Sequence, residues 1–179
     1  TSVFVNMVAG PLDMSNGVFD MTQKGRVDNG NPVPSTIVAE AARTLITFSG
    51  ATIIPDIPEY YNKHPELLKF ISSEKMPWKE SKTLSGAIGE YIVMARKAST
   101  GNWLIAAATN ESPRLLRIPL NFTEPGKYKA LIIKDGKDAS YLANKEKYTV
   151  ATATLTRDQF IDVELAPGGG ACVLLEKVK

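Results

Sequence analysis

Hydrophobic periodicity changes along this chain of 179 residues, and the change lies between about residues 75 and 85. Before it, apolar residues recur at the spacing of amphipathic helices. After it, apolar residues fall into about seven or eight short, partly alternating runs. These runs are separated by turn sequences such as Asp135-Gly136. Short strands at this spacing predict an all-β antiparallel sandwich, which we place at residues 79–179.

One amphipathic helix is predicted over residues 35–49, which read STIVAEAARTLITFS. Its apolar residues fall on one side at helical spacing. Ser35 is the expected N-cap, and Gly50 suits the left-handed position that follows the last turn. The other side of the helix carries the polar residues Glu40, Arg43, Thr44 and Thr47.

Three further elements are expected in the first part of the chain. An apolar run spans residues 3–8, and residues 51–54 predict a short buried strand. Asp56 is the expected N-cap of a second helix, which breaks near His64 and Pro65 and then resumes. Apolar run, loop, helix, strand and helix together are typical of an α/β architecture.

This α/β part is too short to be a domain by itself. A (β/α)₈ barrel needs about 250 residues, so residues 1–78 supply only about two of its strand–helix units. Two such units leave strand edges and helix faces uncovered. We therefore expect residues 1–78 to be the last strand–helix units, the α/β tail, of a barrel whose body lies upstream. The absence of an initiator Met before Thr1 favours an excised or processed piece.

Composition and charge argue against several classes of protein. The net charge is +2 and the basic residues are scattered among acidic ones, so nucleic acid is not an expected partner. No apolar stretch approaches the roughly 20 residues of a membrane span, and the N-terminus has no signal-peptide pattern. Cys172 is the single cysteine, which excludes an internal disulfide and a cysteine-based zinc site. Its apolar neighbours predict a buried, unreactive thiol.

Asp13 is the candidate residue for substrate binding. It follows the first apolar run and lies between two turn sequences, Gly10-Pro11 and Asn16-Gly17. Loops that follow the strands of a barrel carry the functional groups of barrel enzymes. The alternative is that the carboxylate of Asp13 only accepts hydrogen bonds from the amides of the following turn.

Other polar and aromatic residues have simpler explanations. Asp13 and Asp56 could form a pair of glycosidase carboxylates, but a capping role is sufficient to explain Asp56. His64 has no second histidine for a metal cluster or a triad, so we expect it at a helix terminus. Trp103 is expected in the core and Trp78 between the two parts of the chain, although either ring could stack on a sugar. No residue is assigned as catalytic or as a metal ligand.

Two glycine-containing segments are interpreted as turns. Residues 134–138, KDGKD, lack the ligand spacing of a calcium loop and predict a hairpin turn. Residues 166–170, APGGG, lack the following helix pattern and the Lys-Ser/Thr pair of a phosphate-binding loop. They predict a turn into the last strand.

The order of motifs resembles the C-terminal part of glycoside hydrolase family 97. The segments that carry the resemblance extend along the chain and are AGPLDMSNGVFD, VPSTIVAEAARTLITFSGATIIPDIPEYY, MPWKESKTLSGAIGEYIVMARK, AATNESPRLLRIPL and LAPGGGACVLLEK. Members of this family are exo-acting α-glycosidases of bacterial glycan use. The resemblance implies an N-terminal β-super-sandwich, a central catalytic (β/α)₈ barrel and a C-terminal β-sandwich.

The resemblance also implies that the chemistry lies outside this chain. In the family, the catalytic carboxylates and the glutamates that hold a calcium ion lie on earlier barrel segments, so the fragment alone is expected to be inactive. Calcium is implied for the full-length enzyme only. An α-linked oligosaccharide substrate, contacts with the upstream domains and a periplasmic or secreted location are implied in the same way.

The resemblance leaves the substrate and the role of the sandwich partly open. The glucosidase branch of the family often has an aromatic residue after the aspartate and a Thr-Pro before the glycine of the first motif. Met14 and Ser15-Asn16 stand there instead, which favours a retaining α-galactosidase over an α-glucosidase. The sandwich is expected to buttress the barrel, which the lack of an aromatic cluster favours. The alternative is a stand-alone sandwich module without catalysis that binds carbohydrate or mediates oligomerisation.

Overall fold

The computed structural model describes residues 2–22, 33–50 and 52–178. These residues form four α-helices, a 3₁₀ turn at Asn6–Ala9 and eight strands. The helices are α1 (Ser2–Val5), α2 (Ile37–Ile46), α3 (Pro58–Asn62) and α4 (Pro65–Ser72). The strands are β1 (Glu80–Ala87), β2 (Tyr91–Lys97), β3 (Trp103–Thr109), β4 (Arg114–Pro119), β5 (Lys127–Asp135), β6 (Tyr148–Thr156), β7 (Phe160–Leu165) and β8 (Gly170–Lys177).

The strands form two antiparallel sheets of unequal size. The large sheet has six strands in the order β1-β2-β3-β8-β5-β6, and the small sheet pairs β4 with β7. One apolar core contains residues of both sheets, and its largest fully buried side chains are Trp103 and Tyr128. The predicted antiparallel β-sandwich is thus confirmed.

A second apolar core lies on the opposite face of the large sheet, beneath helices α2 and α4. Alternation along β3 shows the division between the two cores. Trp103 and Ile105 belong to the core between the sheets, whereas Leu104 and Ala106 belong to the core beneath the helices. Because β3 is covered on both faces, its sequence WLIAAAT is apolar almost throughout.

Helix α2 is buried around nearly its whole circumference. Glu40, Thr44 and Thr47, on the polar side of the helix, are only 4%, 2% and 6% exposed. The polar side is buried as well, because the sheet covers one side of the helix and the segments around α4 cover the other. Hydrogen bonds compensate the burial: Ser35 Oγ donates to Glu40 Oε1 at 2.5 Å, and Thr44 Oγ1 lies 2.6 Å from Glu74 Oε1.

The ends of α2 also differ from the expectation. Thr36 caps the N-terminus instead of Ser35, and its Oγ1 accepts a hydrogen bond of 3.2 Å from Ala39 N. The helix ends at Ile46, and its C-cap residue Thr47 is extended, with φ −78° and ψ 120°. Gly50 therefore lies beyond the helix and does not take the left-handed position after the last turn.

Neither the apolar run at residues 3–8 nor residues 52–54, from the predicted strand 51–54, form a buried strand. Residues 2–9 are helical, and Val5 and Val8 are 56% and 83% exposed. Residues 52–54 pair with no strand among the described residues, and Ile53 is 62% exposed. The expectation of a strand at 51–54 is wrong in this structure, because an apolar run forms a strand only where a neighbouring backbone completes its hydrogen bonds.

The helix break near His64 is confirmed. Helix α3 ends at Asn62, and α4 begins at Pro65, where a proline loses no intrahelical hydrogen bond. Helix α4 then packs beside α2 and against β8.

Candidate functional site

Asp13 lies on a loop that is fixed on both sides of the aspartate. Before it, Leu12 N donates a hydrogen bond of 2.8 Å to Phe48 O. After it, Asn16 Nδ2 donates a hydrogen bond of 3.3 Å to Arg43 O. Both acceptors belong to α2 or to the residues that follow it, so the buried helix sets the position of the loop.

The side chain of Asp13 is exposed, and its carboxylate accepts no hydrogen bond from the described residues. The bonds to the following turn that the alternative interpretation required are not formed. An exposed carboxylate without a donor among the described residues is available to accept a hydrogen bond from a ligand hydroxyl group.

The segment after Asp13 is held by a second group of contacts. Asp56 Oδ2 accepts hydrogen bonds from the backbone N–H groups of Phe19 and Asp20, the latter at 2.8 Å. Tyr61 Oη donates to Gly17 O at 3.0 Å. The expected capping role of Asp56 is wrong, because its carboxylate faces this segment and the N-cap position of α3 falls one residue later. Asp56 is therefore not half of a catalytic pair with Asp13.

Gly17 cannot be replaced without strain in this loop. Its φ is +87°, and a Cβ atom there would lie 3.0 Å from Thr44 Cγ2 on helix α2. The expected tight turn at Asn16-Gly17 is wrong, because residues 11–20 contain no turn or bend. The glycine is needed instead for its positive φ and for its close approach to α2.

His64 occupies the N-cap position of α4, which confirms the expected place at a helix terminus. Its buried ring contacts Phe19 and Tyr148, with centroid distances of 5.8 and 5.6 Å. Burial lowers the pKa of the imidazole, although Glu146, whose Oε2 lies 3.7 Å from Nε2, raises it. His64 is therefore a packing residue that is mainly neutral at pH 7.

Both tryptophans pack as the sequence predicted. Trp103 is fully buried, and its Nε1 donates a hydrogen bond of 3.2 Å to Glu124 Oε2. Trp78 is half-buried against the core beneath the helices, so it joins the N-terminal part of the chain to the large sheet. Neither ring is an exposed platform for a sugar.

Arg96 on strand β2 ties the C-terminus of α2 to the large sheet. Its Nε and Nη2 donate to Leu45 O and Ile46 O at 2.8 and 3.2 Å, where the helix leaves carbonyl groups without intrahelical partners. Burial lowers the pKa of the guanidinium to about 10, while Glu74 raises it, so Arg96 stays charged at neutral pH. This role was not predicted, because a lone arginine in a strand is usually exposed.

Glu74 lies beside Thr44 at the end of α2. Burial raises the pKa of Glu74 to about 8, although Thr44 and Arg96 act in the opposite direction. The hydroxyl oxygen of Thr44, Oγ1, lies 2.7 Å from Ala41 O and 2.6 Å from Glu74 Oε1. Thr44 Oγ1 donates to Glu74 Oε1, so its hydroxyl group joins the side chain of Glu74 to helix α2.

Asp135 is a buried polar centre that the sequence did not reveal. Its Oδ1 accepts a hydrogen bond of 2.7 Å from Thr36 Oγ1, and its Oδ2 accepts from Ala166 N and Gly170 N at 2.9 and 2.8 Å. Burial raises the pKa of Asp135, and these three donors act in the opposite direction. The predicted hairpin at residues 134–138 does join β5 to β6, but the connection extends over residues 136–147 and Asp135 belongs to the strand.

The APGGG segment forms the turn into β8, as predicted. Close packing explains two of its glycines. A Cβ atom on Gly169 would lie 1.9 Å from Asp135 Oδ2, and one on Gly170 would lie 2.8 Å from Ala39 Cα in α2. The segment thus has a structural role in packing α2 against the sheet.

No complete catalytic constellation lies within residues 2–22, 33–50 and 52–178. No three His, Cys, Asp or Glu side chains in these ranges are grouped so that they could hold a metal ion. Cys172 is buried, and burial raises the pKa of its thiol well above the usual range, so it is no nucleophile. None of the described helices is long and apolar enough to cross a membrane.

Comparison with known proteins finds relatives along the chain. Residues 77–176 match a family described as "Glycosyl-hydrolase 97 C-terminal, oligomerisation". A retaining alpha-galactosidase of Bacteroides thetaiotaomicron is 31% identical over 173 residues, which cover 93% of this chain and 25% of that protein. A probable retaining alpha-galactosidase of Streptomyces bingchenggensis is 26% identical over 138 residues, which cover 77% of this chain and 20% of that protein.

A solved structure shares the fold over almost the whole chain. It is a glycoside hydrolase family 97 enzyme from Pseudoalteromonas sp. strain K8 in complex with acarbose. The TM-score is 0.92 at 31% sequence identity, over 99% of this chain and 28% of that chain. The chain therefore spans about a quarter of the length of these relatives.

Proposed function

This chain belongs to glycoside hydrolase family 97, and on that basis we propose that it is the C-terminal part of an exo-acting α-glycosidase. The resemblance seen in the motifs is confirmed by the family match over residues 77–176. The observation that carries the proposal is the shared fold, with a TM-score of 0.92, over 99% of the chain. Such a match includes the helices before residue 73 as well as the sandwich.

We assign residues 1–78 to the last strand–helix units of a catalytic (β/α)₈ barrel and residues 79–179 to the C-terminal β-sandwich domain. The exposed apolar side chains of the first part support this assignment. Val8 and Ile53 are 83% and 62% exposed, and residues 52–54 form neither a helix nor a strand in the described part of the chain. Upstream barrel strands would cover these side chains and complete the hydrogen bonds of residues 52–54.

The substrate that we propose is an α-linked galactoside, hydrolysed with retention of configuration. The two curated relatives are both named as retaining alpha-galactosidases, one of them as probable. The family 97 enzyme that binds acarbose is also 31% identical to this chain, so identity alone does not separate α-galactosides from α-glucosides. The departures at Met14 and Ser15-Asn16 support the galactosidase, and an α-glucosidase is the alternative.

In this proposal, the catalytic groups come from outside the chain. No three His, Cys, Asp or Glu side chains among the described residues are grouped so that they could hold a metal ion, and we place the acid, the nucleophile and the ligands of any calcium ion on upstream segments. Asp13 contributes a hydrogen bond to a substrate hydroxyl at the rim of the active site. A periplasmic or secreted location is proposed on the family resemblance alone.

The sandwich has a structural role in the proposed enzyme. The description of the matching family includes oligomerisation. We propose that residues 79–179 mediate association of subunits and buttress the barrel. Carbohydrate binding by the sandwich is less well supported, because Trp103 is fully buried and Trp78 is half-buried.

Hydrolysis assays test the proposed function. The complete protein is expected to release nitrophenol from 4-nitrophenyl α-galactoside faster than from 4-nitrophenyl α-glucoside, and the 179-residue chain alone is expected to hydrolyse neither. NMR detection of the first sugar anomer released would show retention. Turnover by the 179-residue chain, or no turnover of either substrate by the complete protein, would contradict the proposal.

A further inference from the structure

Strand β6 has a free edge that is unusually open to pairing. It reads YTVATATLT over Tyr148–Thr156 and has β5 as its single neighbour in the described structure. Residues 149–152 and Thr154 are exposed, and the strand contains no charged residue and no proline. Strands rich in β-branched residues with an uncharged free edge readily accept another strand, because their unpaired N–H and C=O groups form a template.

The other described edge strands have features that oppose pairing. Strand β1 contains Glu80 and Lys82, has a register irregularity at Thr83/Ser85, and comes close to Phe4 at Gly86. Strands β4 and β7 of the small sheet carry charged residues along their length. These residues are Arg114, Arg117, Asp162 and Glu164. Charges and bulges are the usual means by which proteins block edge strands, so β6 is the exception among the four.

The ladder with β5 shows which backbone groups of β6 are free. Gly136 N donates to Lys147 O at 2.9 Å, and the register with β5 continues without irregularity to Thr156. Because the groups of an antiparallel strand alternate in direction, those of Val150, Thr152 and Thr154 point away from β5. Thr156 N also points away, but it already donates to Gln159 Oε1 at 2.8 Å.

The free N–H and C=O groups are arranged symmetrically about Thr152. This symmetry suits antiparallel pairing of β6 with β6 of a second copy. In a two-fold arrangement centred on Thr152, Val150 lies opposite Thr154 of the second copy, and about six main-chain hydrogen bonds form. No charged side chain lies within the paired segment. Arg157, just outside it, is turned towards the small sheet by a hydrogen bond of 3.1 Å to Asn121 O.

We propose that β6 pairs antiparallel with β6 of a second copy of this chain, about a two-fold axis at Thr152. The two large sheets then form one continuous sheet of twelve strands, twice the six in each copy. This inference rests on the proposed oligomerising role of the sandwich, and it identifies the surface that carries that role.

A proline substitution tests the pairing in the complete protein. Thr152→Pro removes an outward N–H without removing a hydrogen bond to β5, so we expect the dimer dissociation constant from sedimentation velocity to rise at least roughly tenfold. Thr152→Ala keeps the N–H and is expected to leave the constant nearly unchanged. Leu115→Pro is the matched control on another edge, because Leu120 N donates to Gln159 O and Leu115 N therefore points away from β7.

A cysteine substitution provides a second test that does not depend on how well the proline variant folds. In Thr152→Cys, the two copies of residue 152 face each other within the range of Cα separations that a disulfide spans. Mild oxidation is expected to give a covalent dimer. Peptide mapping should find a disulfide between residue 152 of one copy and residue 152 of the other. Cys172 does not compete, because it is fully buried.

The outcomes separate this inference from the proposed function. A complete protein that is oligomeric, but whose association is unchanged in Thr152→Pro and which gives no cross-link in Thr152→Cys, would overturn the pairing of β6 alone. A loss of association in Leu115→Pro but not in Thr152→Pro would place the interface on the small sheet instead. A complete protein that stays monomeric at all concentrations would overturn both the pairing and the oligomerising role.

Discussion

The hydroxyl group of Thr36 donates a hydrogen bond of 2.7 Å to the buried carboxylate of Asp135, 99 residues further along the chain. Thr36 caps helix α2 and Asp135 ends strand β5, so this bond joins the first turn of the helix to the large sheet. The other oxygen of Asp135 holds the turn into β8. One carboxylate therefore links three segments that are distant in the sequence.

Asp135→Ala is expected to lower the free energy of unfolding by about 2–4 kcal/mol, because three buried donors lose their acceptor. Asp135→Asn should lose less, since its amide oxygen can still accept from Thr36. Urea unfolding followed by tryptophan fluorescence measures both variants.

Asp13→Ala is the matched control for stability. Its carboxylate is exposed and has no hydrogen-bond donor among the described residues, so a change within about 0.5 kcal/mol is expected. If Asp135→Ala were no less stable than Asp13→Ala, the buried hydrogen bonds would contribute nothing to folding.

Gly170→Ala is expected to separate α2 from the sheet. A Cβ atom at this position would lie 2.8 Å from both Ala107 O and Ala39 Cα, which are backbone atoms that cannot move independently. We expect a loss of about 1–3 kcal/mol, typical of overpacking, and a lower Tm in calorimetry.

Gly50→Ala is the control for Gly170→Ala. A Cβ atom on Gly50 would meet no described heavy atom within 4 Å, and its φ is not in the left-handed region. Its Tm is expected to stay the same or to rise slightly, because alanine restricts the unfolded chain. Equal Tm values for the two variants would argue against close packing at Gly170.

The sandwich could be predicted from the sequence because its signals are local. Alternation, turn dipeptides and the APGGG segment each specify a strand or a turn within a few residues. The burial of both faces of β3 could likewise be predicted from the apolar run WLIAAAT. These signals do not specify the sheet order, which depends on contacts between distant segments.

The buried polar residues could not be predicted, since each is buried by partners far along the chain. In the sequence, Arg96 is typical of an exposed strand residue and Asp135 of a turn residue. Only the packing of α2 on the sheet buries them. The strand expected at 51–54 was wrong for a related reason. The segment is apolar, but a strand needs a neighbouring strand to pair with, and the described residues do not supply one.

The candidate site was predicted in part. Asp13 was proposed from its position between two turn sequences, and the structure shows that its neighbours Leu12 and Asn16 are held by hydrogen bonds. The residue that fixes the following segment, Asp56, was interpreted as a helix cap because its local sequence fits a capping box. Sequence spacing alone does not distinguish a carboxylate that caps its own helix from one that binds a distant backbone.

Glu74 predicts a pH dependence of stability. Its pKa is about 8 in the folded chain against a usual 4.5, so the folded state binds more protons between these values. The contribution of Glu74 to stability is therefore fully present below about pH 4.5 and is lost as the pH rises through about 8. Glu74→Gln cannot ionise and its amide oxygen can still accept from Thr44, so wild type should lose stability relative to this variant between pH 5 and 9.

Urea unfolding at several pH values measures this difference. Glu111→Gln changes an exposed glutamate and serves as the control, for which no such trend is expected. If wild type and Glu74→Gln followed the same pH dependence, Glu74 would be ionised in the folded state throughout this range.

Asp13 gives a prediction for the complete enzyme. If its carboxylate accepts a hydrogen bond from the sugar in both the ground state and the transition state, Asp13→Ala raises KM for 4-nitrophenyl α-galactoside about tenfold and leaves kcat nearly unchanged. Asp158→Ala, which removes an exposed aspartate from the turn between β6 and β7, should change neither parameter. An unchanged KM in Asp13→Ala would show that the substrate does not contact this carboxylate, whereas a fall in kcat alone would place the contact in the transition state.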